Sequence, residues 1–322
     1  MVKMTPKMTA TMSNTSKPMA GAALGAGPSC GKPKLIAFGE LLWDIFENAE
    51  HLGGSPANVA YHAALLGAES HLISRVGADQ RGRAAISHLA ASQVVTDDIQ
   101  RDSARRTGCV TVTMANGSPR FRIDDHSAWD AIEAPRSLRL LENAHVFCFS
   151  TLAQRTLPNR RTLFDLLFEL SRSHGARRTL RVLDLNLRPP HVDRALIDHS
   201  LRWADVVKVN DDELTWLENT LGGSSAARFI LDRFSVRFLV VTHGARGATL
   251  FGHSLRVHCP GVAVAGGDPV GAGDAFVAAF SVALASNFKP NLALERANSY
   301  AAWVASETGA MPSKNARTPR VT

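Results

Sequence analysis

Residues 266–284 read GGDPVGAGDAFVAAFSVAL, which is the strongest local signal in the chain. Gly271, Ala272 and Gly273 precede a long apolar run, which predicts a tight turn that opens into a helix. Unpaired N–H groups and the positive end of the helix dipole make such a turn an anion site. A carboxylate at Asp274 would be repelled by a bound polyanion, so it does not suit a site that only holds phosphate. It suits a base that takes the proton of a hydroxyl group as phosphate arrives. The alternative interpretation of Asp274 is an ordinary acid in the first turn of a helix.

Short apolar runs alternate with longer amphipathic ones on the amino-terminal side of this stretch, from Lys34 onward. The alternation predicts an α/β fold with a mainly parallel central sheet and helices on both of its faces. One segment differs, because residues 107–125 alternate β-branched and polar residues around Asn116 and Gly117, which is typical of a hairpin. A hairpin alone is marginal, so we expect it to pair with residues 42–52 as a small β-sheet lid.

The composition excludes several classes of protein. The net charge is +7, but residues 1–34 hold five lysines and no acid, which leaves 31 basic and 29 acidic residues elsewhere. A nearly neutral folded part argues against nucleic acid as a partner. No apolar window is long enough to span a membrane. The four scattered cysteines suggest a reduced, cytoplasmic chain. Residues 1–33 are expected to be a disordered tail before one domain at 34–322, unless translation begins at Met19.

The carboxy-terminal stretch GGDPVGAGDAF is similar to a signature of the PfkB, or ribokinase-like, carbohydrate kinases. Residues 52–89, LGGSPANVAYHAALLGAESHLISRVGADQRGRAAISHL, resemble that family's amino-terminal signature, in the right order and at the right spacing. The segments GELLWDIFE, IQRDSARRTGCVTV and STLAQR look most like the bacterial fructokinase branch. The resemblance implies a ribokinase-like fold that uses ATP and Mg²⁺.

The resemblance also implies roles for individual residues. It assigns Asp274 as the catalytic base and makes Gly271, Ala272 and Gly273 the anion hole for the transferred phosphoryl group. The implied sugar-binding residues are Asp44, Gly53, Gly54, Asn58, Gln154 and Arg155. Polar side chains suit a polyhydroxyl ligand, because every buried hydroxyl group needs hydrogen-bond partners. Without the resemblance, Asp44 would be read as a turn residue and Asn58 as a surface amide of a helix.

A second set of residues is implied for the nucleotide and the metal ions. Those placed near the phosphates and adenine are Asn186, Arg188, Asn210, Glu213, Thr242, Gly244, Gly247 and Asn298. Asn210 and Glu213 form the NxxE motif, which would hold Mg²⁺ through water; an ordinary helix amino terminus is the alternative. A monovalent-cation loop for K⁺ would use Asp268, Val270, Val304, Gly309 and Ser313. Pro269 departs from the usual Thr of that loop and removes a backbone donor.

The sequence therefore predicts an ATP-dependent sugar kinase that phosphorylates a primary hydroxyl group, with fructose as the expected sugar. Ribose, 2-keto-3-deoxygluconate or a nucleoside are alternative substrates within the same class. A regulator that binds sugar or nucleotide without turnover is the alternative from another class. The edges of the lid sheet suggest a homodimer. We expect small-molecule sugar and ATP as partners, and neither nucleic acid nor membrane.

Overall fold

A computed structural model describes residues 31–313 apart from 116–117, 173–177, 222–225 and 265. The expected tail at residues 1–33 lies almost entirely outside the described residues, as do residues 314–322. None of the helices in the described ranges has the length and apolar character needed to cross a membrane.

The described residues form fourteen strands and eight α-helices, joined by loops and short 3₁₀ turns. The strands are β1 (Lys34–Phe38), β2 (Leu42–Ile45), β3 (Glu50–Gly53), β4 (Glu69–Gly77), β5 (Val94–Val95), β6 (Ile99–Asp102), β7 (Gly108–Ala115), β8 (Ser118–Ile123), β9 (Val146–Ser150), β10 (Leu180–Asp184), β11 (Val206–Asn210), β12 (Phe238–Thr242), β13 (Gly247–Gly252) and β14 (Leu255–Pro260). The helices are α1 (Ser55–Leu65), α2 (Gln80–Ala91), α3 (Leu157–Arg172), α4 (Arg194–Trp203), α5 (Asp211–Leu221), α6 (Ala226–Phe234), α7 (Ala272–Ala285) and α8 (Pro290–Ser306).

The large sheet has the strand order β14-β13-β12-β11-β10-β9-β1-β4-β5, with β6 also paired to β4. Its strands from β12 to β4 are parallel, and β13 and β14 form an antiparallel ribbon at one edge. The predicted α/β architecture is therefore confirmed. The carboxyl ends of β1, β10, β11 and β12 lie along one edge, where ligands of open parallel sheets collect.

Helices cover both faces of the large sheet, and each face has its own apolar cluster. On one face α1, α7 and α8 pack on β1, β4 and β13; their buried side chains include Tyr61, Phe276 and Tyr300. On the other face α3, α4, α5 and α6 share a second apolar cluster with β10, β11 and β12, through residues such as Leu167 and Leu201. Strands buried on both faces read as continuous apolar runs, which is why the short apolar runs of the sequence predicted them.

The small second sheet also forms, with the order β3-β2-β7-β8. β7 and β8 are the predicted hairpin, and β2 pairs parallel with β7, as Leu42 opposite Gly108 shows. Leu42, Val110, Trp129 and Leu152 form a separate apolar cluster beneath it. This sheet therefore packs on the carboxyl-end edge of the large sheet beside β1 and β9. Whether it moves as a lid stays a prediction.

Candidate active site

The turn before α7 has the shape expected of an anion site. Gly271 is the N-cap residue with φ of 79°, a left-handed conformation that favours glycine. A Cβ at Gly271 would lie 2.6 Å from Cα of Ala310, so a larger side chain has no room. Ala275 makes the first intrahelical hydrogen bond, from its N–H to the Gly271 carbonyl at 2.9 Å. The N–H groups of Gly273 and Asp274 therefore have no acceptor within the helix. That of Ala272 donates to the Pro269 carbonyl instead, at 3.2 Å.

Asp274 lies deep in the cleft at this helix terminus yet keeps part of its surface accessible. The amide Nδ2 of Asn58 donates to its Oδ2 at 2.7 Å, which joins α1 to α7. Burial raises the pKa of Asp274, against the opposing effects of hydrogen bonds from Ser55 and Asn58 and of the charges on Lys208 and Arg188. A carboxylate that is oriented by an amide and whose pKa is raised is suited to accept a proton.

The glycines of the amino-terminal signature make room for two acids. A Cβ on Gly53 would overlap Oδ2 of Asp44, since β2 and β3 are adjacent antiparallel strands. Gly54 has φ of 102°, and a Cβ there would overlap the backbone carbonyl oxygen of Glu40. Burial raises the pKa of Asp44 to about 6, and the charge on Asp274 adds to that shift while His51 and Arg188 oppose it. Asp44, Asn58 and Asp274 are thus brought to one side of the cleft.

The two remaining residues of the implied sugar set already have protein partners. Gln154 is fully buried; its amide donates to the Ser150 carbonyl at 2.8 Å and its oxygen accepts from Ser200 at 3.1 Å. Arg155 forms two bonds of 2.7 Å with the carboxylate of Asp130. Its guanidinium also stacks 4.0 Å above the ring of Trp129. Gln154 thus joins the end of β9 to α4, and Arg155 joins the same region to the segment that follows β8. Sugar contact by Gln154 or Arg155 stays a prediction.

The implied phosphate and magnesium residues lie at the ends of β10 and β11. The side chains of Asn210 and Glu213 each accept a hydrogen bond from the other residue's backbone. The Glu213 N–H donates to Asn210 Oδ1 at 2.8 Å, and the Asn210 N–H donates to Glu213 Oε2 at 2.9 Å. Glu213 Oε1 accepts from the Leu187 N–H at 2.9 Å. Carboxylate and amide oxygens with lone pairs left over suit the water-mediated binding of Mg²⁺ that the motif implies. Arg188 is exposed beside them, and its charge acts on Asp274. Asn186 is buried and has φ of 43°.

Lys208 is a functional candidate that the sequence analysis missed. It lies on β11, nearly buried, and its Nζ donates to Asp184 Oδ1 at 3.1 Å. A Cβ on Gly273 would come 3.2 Å from that Nζ, so the ammonium lies directly beneath the predicted anion hole. Burial pulls the pKa of Lys208 down, but Asp184, Glu213 and Asp274 outweigh it and the pKa stays above its usual value. A lysine inside the apolar run VVKVN was the available signal.

The implied nucleotide-binding residues lie farther along the same edge. Thr242 ends β12 directly opposite Asn210 on β11. Gly247 has φ of 99° and no room for a Cβ beside the Cys259 carbonyl, whereas Gly244 faces open space. Asn298 on α8 donates to the Pro260 carbonyl at 2.7 Å, so its amide holds the end of β14. These residues therefore lie at the ends of β12 and β14, beside the strand ends that carry Asn210 and Glu213.

Part of the implied monovalent-cation loop also comes together. The two carboxylate oxygens of Asp268 accept the N–H groups of Val270 at 3.0 Å and Gly309 at 3.3 Å. Val304 is buried, and its carbonyl accepts the Glu307 N–H at 3.0 Å. Ser313 is exposed. Carboxylate and carbonyl oxygens suit K⁺, whose binding here stays a prediction.

Comparison with known proteins identifies the family. The profile of the pfkB family carbohydrate kinases matches residues 31–317. The chain belongs to the pfkB family. Among curated relatives, a Klebsiella pneumoniae fructokinase is 30% identical over 80% of this chain and 86% of its own length. A fructokinase from Salmonella typhimurium is 30% identical over 80% of this chain and 86% of its own length.

Solved structures agree. A sugar kinase of Pyrococcus horikoshii in complex with ATP has a TM-score of 0.75 and 27% identity, covering 89% of this chain and 100% of that one. A fructokinase from Xylella fastidiosa with bound ATP has a TM-score of 0.75 and 25% identity, covering 87% of this chain and 95% of that one. This pfkB protein is therefore a sugar kinase, a phosphotransferase acting on a sugar hydroxyl group. The role of Asp274 as the base stays a prediction.

Proposed function

We propose that this kinase transfers the γ-phosphoryl group of ATP to a primary hydroxyl group of fructose, with Asp274 as the base. The observation that carries the proposal is the carboxylate of Asp274, oriented by Asn58 at 2.7 Å and placed on the first turn of α7. Fructokinases of about 30% identity support fructose over other sugars.

The chain's own residues divide the work in this reaction. Asp44 and Asn58 hold sugar hydroxyl groups so that one of them points at Asp274, which accepts its proton as phosphate arrives. The N–H groups at the start of α7 and the ammonium of Lys208 stabilise the charge on the phosphoryl group in transfer. Arg188 neutralises phosphate oxygens from the solvent side. The small sheet over the site excludes water that would otherwise accept the phosphoryl group.

Asn210 and Glu213 would hold Mg²⁺ through water, and the ion when bound would neutralise charge on the phosphate oxygens. Asp268, Val270, Val304, Gly309 and Ser313 would hold K⁺ next to the turn that precedes α7. The protein would act in the cytoplasm, as ATP and free sugar are its partners, and as a homodimer through edges of the small sheet.

The test is ADP release from Mg-ATP with a panel of fructose, glucose, ribose, 2-keto-3-deoxygluconate, adenosine and fructose 6-phosphate. We expect turnover with fructose that falls by about 10² to 10⁴ in Asp274→Asn, the range for loss of a general base. Asp232→Asn, on the outer helix α6, is the matched control and should keep wild-type turnover. Turnover confined to another panel member would replace the sugar. Folded wild-type protein that binds ATP and sugar without releasing ADP would favour the binding regulator instead.

A further inference from the structure

Glu40 is a buried acid that no role described above accounts for. It follows β1 and is 1% exposed, and its Oε2 has no hydrogen-bond partner among the described residues. A buried polar atom without a partner costs stability, so its presence needs an explanation. Burial raises the pKa of Glu40 to about 7; the charge on Asp274 adds to the shift, while Arg188 and the N–H groups of Glu40 and Ser55 oppose it. The side chain therefore belongs to the same charged cluster as the base.

The position of Glu40 relative to α1 suggests what it does. Helix α1 begins after Gly54, makes no side-chain hydrogen bond at its N-cap and has no acid in its first turn. Glu40 lies against that terminus: a Cβ on Gly54 would lie 3.3 Å from the Glu40 Cγ, and the Ser55 N–H favours the charged form of the carboxyl group. A carboxyl group beside the N–H groups that have no acceptor within the helix supplies the cap that the helix lacks.

The capped turn carries the side chains that orient the base. Asn58, in that first turn, donates to Asp274 Oδ2 at 2.7 Å, and the Ser55 side chain opposes the burial that raises the pKa of Asp274. We propose that Glu40 is a positioning residue for phosphoryl transfer, which caps α1 from outside the helix and so fixes Ser55 and Asn58 against Asp274. This inference rests on the proposed role of Asp274, though not on which sugar is the substrate.

The test compares Glu40→Gln, which keeps an acceptor for the Ser55 N–H, with Glu40→Met, which has a similar shape and no acceptor. We expect Glu40→Gln to keep kcat within about threefold and Glu40→Met to lose about 10²-fold, the cost of a base displaced by about 1 Å. KM for ATP should stay unchanged in both variants, because the nucleotide residues lie on other elements. Glu142→Met, at an exposed surface position, is the matched control and should behave as wild type.

A second arm repeats Glu40→Met in the Asp274→Asn background. If Glu40 acts through the base, its replacement changes the residual rate by less than about threefold there. Wild-type turnover with any panel sugar is measured first, so a failure of the proposed function would appear before either variant is assayed. Three results would overturn the inference: a Glu40→Met enzyme with wild-type kcat, an equal loss in both backgrounds, or a Glu40→Met protein that no longer folds to bind ATP.

Discussion

Variants of the ion pair between Lys208 and Asp184 are expected to change folding stability and activity independently. Both side chains are nearly buried, and Nζ lies 3.1 Å from Oδ1. Removing one partner of a buried pair leaves an uncompensated charge, which costs about 3–5 kcal/mol. Lys208→Met should therefore lower the free energy of unfolding by about 3–5 kcal/mol at pH 8. Removing both charges in Asp184→Asn/Lys208→Met should restore most of that stability, to within about 1 kcal/mol of wild type.

The pH dependence of this effect follows from Asp184. Burial already raises the pKa of Asp184 even with Lys208 beside it. Without the lysine, the pKa of Asp184 in the folded protein rises further above its value in the unfolded chain. The folded state then binds the proton more tightly than the unfolded state, so the stability deficit is present above the folded pKa and shrinks as pH falls through it. Lys208→Met should accordingly approach wild-type stability at acidic pH.

Urea unfolding of each variant at pH 5 and pH 8, followed by circular dichroism, measures both effects. Lys289→Met, at an exposed position before α8, is the matched control and should match wild type at both pH values. Activity provides a separate readout: the double variant should regain stability but remain below about 1% of wild-type kcat, since the ammonium beneath the anion hole is still absent. A Lys208→Met deficit that is equal at both pH values, or a double variant as active as wild type, would contradict the roles given to this ion pair.

Three further predictions concern the sugar and cation sites. Gly53→Ala places a Cβ against Oδ2 of Asp44, so KM for the sugar should rise about tenfold, or about 1.4 kcal/mol, with KM for ATP unchanged; equal sugar KM values would contradict the packing argument. Below pH about 6 Asp44 becomes protonated, so the KM for the sugar should rise, and Asp44→Asn should remove this pH dependence. Because the pKa of Asp44 is raised in the folded protein, its ionisation at pH 8 costs folding stability. Asp44→Asn should therefore unfold at no lower urea concentration than wild type at pH 8. Initial rates at fixed ionic strength should be higher in K⁺ than in tetramethylammonium, and Asp268→Ala should abolish the difference; equal rates in wild type would count against the cation loop.

The sequence by itself was sufficient for much of the fold. Strands such as β1 and β12 are buried on both faces and appear as unbroken apolar runs, and the Gly271 turn before an apolar helix is a local signal. The hairpin of β7 and β8 was visible from alternation around Asn116 and Gly117. Helices α4 and α6 were not predicted, although both are amphipathic.

Only the tertiary structure could show which polar groups meet. Glu40 and Asp274 are 234 positions apart, and Lys208 reaches Asp184 across neighbouring strands; neither relation leaves a local pattern. Periodicity depends on backbone geometry within one element, whereas these contacts depend on the order in which parallel strands are laid side by side. The residues of the GAGD turn could therefore be predicted from the chain, while the buried charges beneath and beside it depend on how β1, β10 and β11 bring distant segments to one edge.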